Sequence, residues 1–257
     1  MKRILSALLI MALAVAAVEA KKISFTVNGV TFNMVKVDHG TFDMGNDNTW
    51  GDEKPVHKVT ISKDYYIGET EVTQGLWQAV MDTSLTYLSK KYMSPTYGVG
   101  ANYPMYFIGW DDCQEFVKKL NEITGQKFRM PTEAEWEYAA RGGKRSKGYK
   151  YSGSNNLDEV AWYFDNCGKS THQVATKKPN ELGLYDMTGN VGEWCQDFYG
   201  KYAPGAVTDP VCAEGSHRVF RGGSWYFFAN RCGLTYRFNY VHDTIDDDLG
   251  FRLVLDM

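Results

Sequence analysis

The chain has 257 residues, with 28 Lys+Arg against 31 Asp+Glu and a formal charge of −3. A balance this near neutrality gives no electrostatic footprint for nucleic acid or an anionic membrane. No Pro/Gly/Ser-rich linker, low-complexity tract or internal repeat divides the sequence, so one large domain is expected.

Met1-Lys2-Arg3 precedes a 15-residue apolar run from Ile4 to Val18, and Val18 and Ala20 stand at −3 and −1 of a cleavage point. That order is a secretory signal over residues 1–20, leaving a domain over residues 21–257. Fifteen apolar residues fall short of the roughly 20 needed to span a bilayer, and no later run is long enough. Signal removal leaves 26 Lys+Arg and 30 Asp+Glu, a charge of −4. Export to the periplasm, the cell surface or the medium is equally compatible with such a signal.

Ser24 to Val37 alternates polar and apolar residues around Asn28-Gly29, which predicts a β-hairpin. Lys58 to Ser62 and Tyr65 to Ile67 read as short strands. A helix follows Thr73, with Leu76, Trp77, Val80 and Met81 on one stripe. Asp82 to Tyr103 is polar and glycine-bearing and reads as a long surface loop. Cys113, Phe116, Val117, Leu120 and Ile123 recur at one helical face, with Gly125 as the stop. Thr132-Glu133-Ala134-Glu135 after Pro131 is a capping box opening a third helix that ends at Gly142-Gly143. Beyond Gly148 no helix of length is expected. Strand-rich ends around a helical middle define an α+β class.

Five cysteines follow the apolar run: Cys113, Cys167, Cys195, Cys212 and Cys232. Oxidation is permitted in an exported protein, but an odd number leaves at least one thiol unpaired or paired elsewhere. Aromatic residues make up 14% of the chain, which fits a core held by large rings, an aromatic binding surface, or both.

Several strings occur in a fixed order: Gly40-Thr41-Phe42-Asp43-Met44-Gly45, Ile67-Gly68-Glu69-Thr70-Glu71-Val72-Thr73, Phe128-Arg129-Met130-Pro131-Thr132-Glu133-Ala134-Glu135-Trp136, Gly183-Leu184-Tyr185-Asp186-Met187-Thr188-Gly189-Asn190-Val191-Gly192-Glu193-Trp194, Phe220-Arg221-Gly222-Gly223-Ser224-Trp225 and Gly250-Phe251-Arg252-Leu253. In this order the chain resembles the formylglycine-generating-enzyme, or sulfatase-modifying-factor, family over roughly residues 30 to 255. The resemblance implies a C-type-lectin-like fold with little regular secondary structure.

It also implies chemistry that the residues only partly support. The family's oxidase holds Cu(I) between two thiolates five residues apart. The matching positions here are Phe227 and Cys232, and a phenyl ring is no ligand for a soft metal. Copper is therefore not expected, and Cys232 is either a small buried residue, half of a disulfide or a surviving redox group. A second branch uses iron; His39, His57, His172, His217 and His242 are scattered without ligand spacing, so iron is not expected either. His57 lies in a shared motif and reads as a hydrogen-bonded structural residue. The family's calcium loop maps onto the Asp186 side chain, the carbonyls of Gly189 and Val191, and the Glu193 side chain, an oxygen set suited to a hard cation. A second calcium loop of the family is not carried over, because Val160 replaces its asparagine ligand. Gly192 stands where the family usually has tryptophan, which should open the pocket there. No phosphate loop, Ser-His-Asp order or paired zinc motif is present.

Trp225-Tyr226-Phe227-Phe228 has three consecutive rings after the tryptophan, and a strand there would bury only alternate ones. Rigid rings beside Asn and Arg are common in recognition surfaces. This stretch is also similar to the variable region of retroelement-diversified proteins. Contact residues are expected to be Tyr226, Phe227, Phe228, Asn230, Arg231, Phe238, Asn239 and Tyr240. The functional expectation is an exported binding protein with a structural calcium and a protein or glycan ligand at the cell surface. The alternative is a metal-dependent oxidoreductase acting on a cysteine or another sulfur-bearing substrate, centred on Cys232.

Overall fold

The computed structural model describes residues 21–257 apart from residue 50, so the secretory signal expected over residues 1–20 lies outside the described residues. The hairpin forms as expected: β1 (Lys22–Val27) pairs antiparallel with β2 (Val30–Val37), with Val27 opposite Val30. Asn28 and Gly29 both take positive φ, at 47° and 83°. This is the conformation that matches a two-residue turn to the twist of its strands.

The chain then lays down β3 (Gly40–Met44), β4 (His57–Ile61) and β5 (Tyr65–Gly68), followed by α1 (Gln74–Met81). Thr73 caps α1 by accepting the Leu76 amide. The expected loop over residues 82–103 is corrected in part, because it contains α2 (Leu85–Tyr92). Ser84 caps that helix through the Tyr87 amide, and Leu85 and Leu88 are its buried side. Two apolar anchors in eight residues are too few for a sequence period to register.

Next come α3 (Trp110–Thr124), β6 (Phe128–Arg129), α4 (Glu133–Ala140) and the single turn α5 (Leu157–Val160). Gly125 ends α3 in the left-handed region, as expected, but Ile123 falls off the buried face and is 50% exposed. Apart from a 3-10 turn over Ala229–Arg231, the elements after α5 are strands: β7 (Gly192–Phe198), β8 (Val207–Thr208), β9 (Arg218–Arg221), β10 (Phe238–Tyr240), β11 (Leu249–Gly250) and β12 (Val254–Asp256).

Among the described residues three sheets result, in strand orders β1-β2-β5-β12-β6, β10-β9-β7-β11 and β3-β4-β8. The last strand thus lies between β5 and β6, tying the C-terminus to both the N-terminal hairpin side and the helical middle. One core packs α1 on α3: Trp77 stacks on Phe116 at 5.3 Å and Phe251 meets Phe116 edge-on. A second core surrounds α4, which is buried on every side. Its three glutamates are tolerated there because each has an arginine. Glu133 takes Arg221 and Arg237, Glu135 takes Arg129, and Glu137 takes Arg221 and Arg141. Burial pushes Glu133 and Glu137 upward, but the adjacent guanidinium groups outweigh it and hold both carboxyls below their ordinary range.

Candidate functional site

Two adjacent regions contain the sequence-predicted site residues. The first is the glycine–asparagine loop that leads into β7. Asn190 has φ 58°; its amide donates to the Trp162 carbonyl and its carbonyl accepts from the Trp225 amide. A Cβ on Gly189 would lie 2.3 Å from the Trp162 carbonyl oxygen, so only glycine fits where the loop crosses that strand of backbone. Val191 is fully buried.

The two carboxylates of the expected calcium set behave differently. Asp186 accepts the Ala175 amide on Oδ2, while its Oδ1 is buried without a partner. Glu71 presses against it: Oε1 accepts from Asn190, and Oε2 is also buried and unpartnered. Burial, reinforced by the charge of Asp186, pushes Glu71 well upward, and burial raises Asp186 to about 6. Glu193 instead has both oxygens engaged. Arg252 donates from Nε and Nη2 at 2.6 Å each, and the Trp136 indole donates to Oε2 at 2.6 Å. Asp186 and Glu71 form a buried carboxyl pair that either a shared proton or a hard cation satisfies; the Glu193 carboxylate is half of a buried ion pair and does not offer itself in the same way. Sequence reasoning missed Glu71, 115 positions before Asp186, because only the fold brings the two together.

Gly192 does not open a pocket. A Cβ there would stand 2.9 Å from the Phe220 ring, which fills the space and stacks on Phe238 and Tyr240. The expectation is corrected: an aromatic ring from β9 occupies the volume that the missing indole leaves.

The second region is the turn after β9. It is a turn and not a strand, yet exposure still alternates along it. Trp225 is buried, while Tyr226 and Phe228 are 60% and 56% exposed. Phe227 is half-buried and stacks on Phe238 at 4.6 Å. Phe164 is a further exposed ring, missed from the sequence, with its centroid 4.4 Å from Phe228 and 6.4 Å from Tyr226. Tyr226, Phe227, Arg231 and Tyr240 share a cavity of about 500 Å3 with Tyr97 and the run Asp246-Asp247-Asp248. Asn230 faces a separate polar cleft beside Tyr236 and Arg141. Asn239, in β10 opposite Val219, is half-buried.

Cys232 lies beneath this turn. It is fully buried, its thiol faces the Phe227 and Phe228 carbonyls at 3.9 and 3.6 Å, and burial pushes it up to about 12. All five cysteines are free thiols. The histidine rings are spread apart on separate partners: His39 on Asp64, His57 on the Pro55 carbonyl, His172 on the Cys167 carbonyl and His242 on Asp111. Burial of His57 and its bond to Pro55 agree with a structural role.

An α+β scaffold built largely from loops, with a lectin-like arrangement of three small sheets and rings displayed on one turn, is the class defined by this fold and site. The chain matches the sulfatase-modifying factor enzyme 1-like domain over residues 23–257, and it belongs to that family. It is similar to the chaperone protein LppX of Paenibacillus barcinonensis, at 30% identity over 88% of this chain and 90% of that one. It is also similar to the inactive Cα-formylglycine-generating enzyme 2 of Bos taurus, at 28% identity over 88% of each. Among solved structures, Treponema denticola variable protein 1 superposes with a TM-score of 0.82 at 32% identity, over 92% of this chain and 99% of that one.

Proposed function

We propose that the chain is an exported binding protein whose recognition face is the aromatic turn around Tyr226 and Phe228, and whose ligand is a protein or glycan at the cell surface. The observation that carries this is the exposure of those two large rings in a turn whose first ring, Trp225, is only 4% exposed. Clustered exposed rings are costly in water unless a partner covers them. Similarity to a protein called a variable protein supports the same reading.

The proposed structural calcium is held by Asp186 and the carbonyls of Gly189 and Val191, with Glu71 as the second carboxylate in place of Glu193. The ion would fix a loop that no helix or ladder holds; the chain's residues do no chemistry on it. An oxidoreductase reading has less support, because Phe227 replaces one thiol and Cys232 is buried with its proton tightly held.

The test is an array of glycans and surface-protein ectodomains probed with the wild type and with Tyr226→Ser/Phe228→Ser. Binding that falls about tenfold or more in the variant supports the reading. Equal binding by the variant, or no binding by the wild type, refutes it. A Cu(I) competition titration of the reduced protein beside Cys232→Ala covers the alternative: one-to-one binding lost in the control would turn the assignment to oxidase chemistry.

A further inference from the structure

The cavity beside the aromatic turn has walls of two kinds. One is made of ring faces and edges. Tyr97 packs on Trp225 at 4.8 Å, Trp225 meets Tyr226 at 5.6 Å, and Tyr240 closes the far side. The other is made of acid. Asp246, Asp247 and Asp248 bring carboxylate oxygens within 4.8 Å of one another. Asp248 is only 7% exposed, and Ser224 donates to its Oδ2. The Asp247 carboxylate accepts from no other described residue, since the Trp225 indole bonds its backbone carbonyl. Burial and mutual repulsion raise Asp247 to about 6 and Asp248 to about 7, and neither carboxyl has an ion pair among the described residues.

We infer that this cavity binds an organic cation, an ammonium group carried either by a small molecule or by a lysine side chain of a partner. The inference rests on reading the aromatic face as a ligand-binding surface. Three carboxyls favour a positive charge, and ring faces attract a cation that has shed its water. A neutral sugar would stack on the rings but leave the acids uncompensated. A hard metal ion would want six to eight oxygens, and the opposite wall offers it carbon. The Arg231 guanidinium lines the same cavity, 5.8 Å from the centroid of the Phe227 ring, and forms no ion pair among the described residues, so it leaves the acids unpaired. Its charge nonetheless opposes that of an incoming cation.

The probe is choline, compared with its neutral carbon isostere 3,3-dimethylbutan-1-ol, and the readout is the Trp225 indole resonance during titration of the intact protein. Choline is expected to bind about tenfold or more tightly than the isostere. Asp247→Asn should remove the difference without disturbing the fold, because that carboxylate bonds no other described residue and an amide oxygen can still accept from its own backbone N–H. Arg231→Gln should tighten choline binding severalfold. Nα-acetyl-lysine methylamide in a parallel titration separates the two sources: stronger binding than choline assigns a partner's lysine, weaker binding a small ammonium ligand. Equal binding of choline and isostere overturns the inference while leaving the aromatic face as a binding surface. Binding of neither overturns it too, and the array with Tyr226→Ser/Phe228→Ser then decides whether the surface reading falls with it. Saturation of the acidic run by calcium, with choline excluded, overturns it in favour of a metal.

Discussion

Replacing Arg252 by methionine is the sharpest probe of how this loop-rich fold is held. Arg252 and Glu193 have side-chain exposures of 0% and 1%. The guanidinium gives Glu193 two hydrogen bonds at 2.6 Å, and it also donates to the Gly68 and Tyr185 carbonyls at 2.9 and 3.0 Å. Methionine keeps much of the volume but leaves Glu193 with only the Trp136 indole. Breaking one side of a buried pair costs about 3–5 kcal/mol. Two carbonyls losing donors add about 1 kcal/mol each, less where the loop relaxes. A total near 4–6 kcal/mol is a large part of the roughly 5–15 kcal/mol that holds an ordinary domain. Urea unfolding followed by tryptophan fluorescence should show the midpoint falling by about 2 M. The double variant Glu193→Gln/Arg252→Met should be more stable than Arg252→Met alone, because no uncompensated charge remains. A single-variant loss below about 0.5 kcal/mol, or simple additivity in the double, would refute the claim that this pair fixes the glycine–asparagine loop to the C-terminus.

Four further outcomes follow from the same geometry. Millimolar calcium should raise the melting temperature of the wild type and leave Asp186→Ala unmoved; an equal rise in both would remove Asp186 from the site. Thiol titration of the native protein should label Cys212, the one thiol that is not fully buried, while Cys232 reacts only after denaturation. Fast labelling of Cys232 in the folded state would contradict its burial. Gly192→Trp should destabilise by about 3 kcal/mol or more, since its Cβ alone would meet Phe220 at 2.9 Å; calorimetry checks this. Asp248 has its pKa raised from 3.8 to about 7 by burial, then by Asp246 and Asp247. A carboxyl with a raised folded-state pKa binds more protons folded than unfolded, so its contribution is complete below about pH 4 and is lost as pH rises through 7. Denaturation at pH 5 and pH 8 should show a drop that Asp248→Asn reduces.

Legibility in the sequence divides by the distance over which a residue's role is decided. The Asn28-Gly29 hairpin, the Thr73 and Thr132 caps and the Gly125 stop are settled within one turn of chain, and the structure has all of them. The α2 helix fell below the threshold because its burial rests on Leu85 and Leu88 alone. The surroundings of Glu193 were out of reach for a different reason. A motif says which residue is present, but Arg252, 59 positions later, decides what its carboxylate does. Phe220 in the space at Gly192 is the same lesson in packing: a deletion on one strand was filled from another.

The proposed recognition face illustrates why the remainder could not be read from one segment. Its rings come from residues 97, 164, 225–228 and 240, and its acids from 246–248, with no shared period and no shared element. The three aspartates are contiguous in the chain, but their setting depends on Trp225 and Tyr97, which line the same cavity. What keeps such scattered parts in register is the buried polar framework beneath them. Asn190 joins the loop at Trp162 to the turn at Trp225, and Ser224 ties that turn to Asp248. Each of these bonds acts on backbone or on a buried side chain, so the exposed rings themselves have little structural duty. Tyr226 and Phe228 can therefore be replaced with little cost to the fold, which is the property a surface needs if its side chains are to be chosen by a ligand and not by a core.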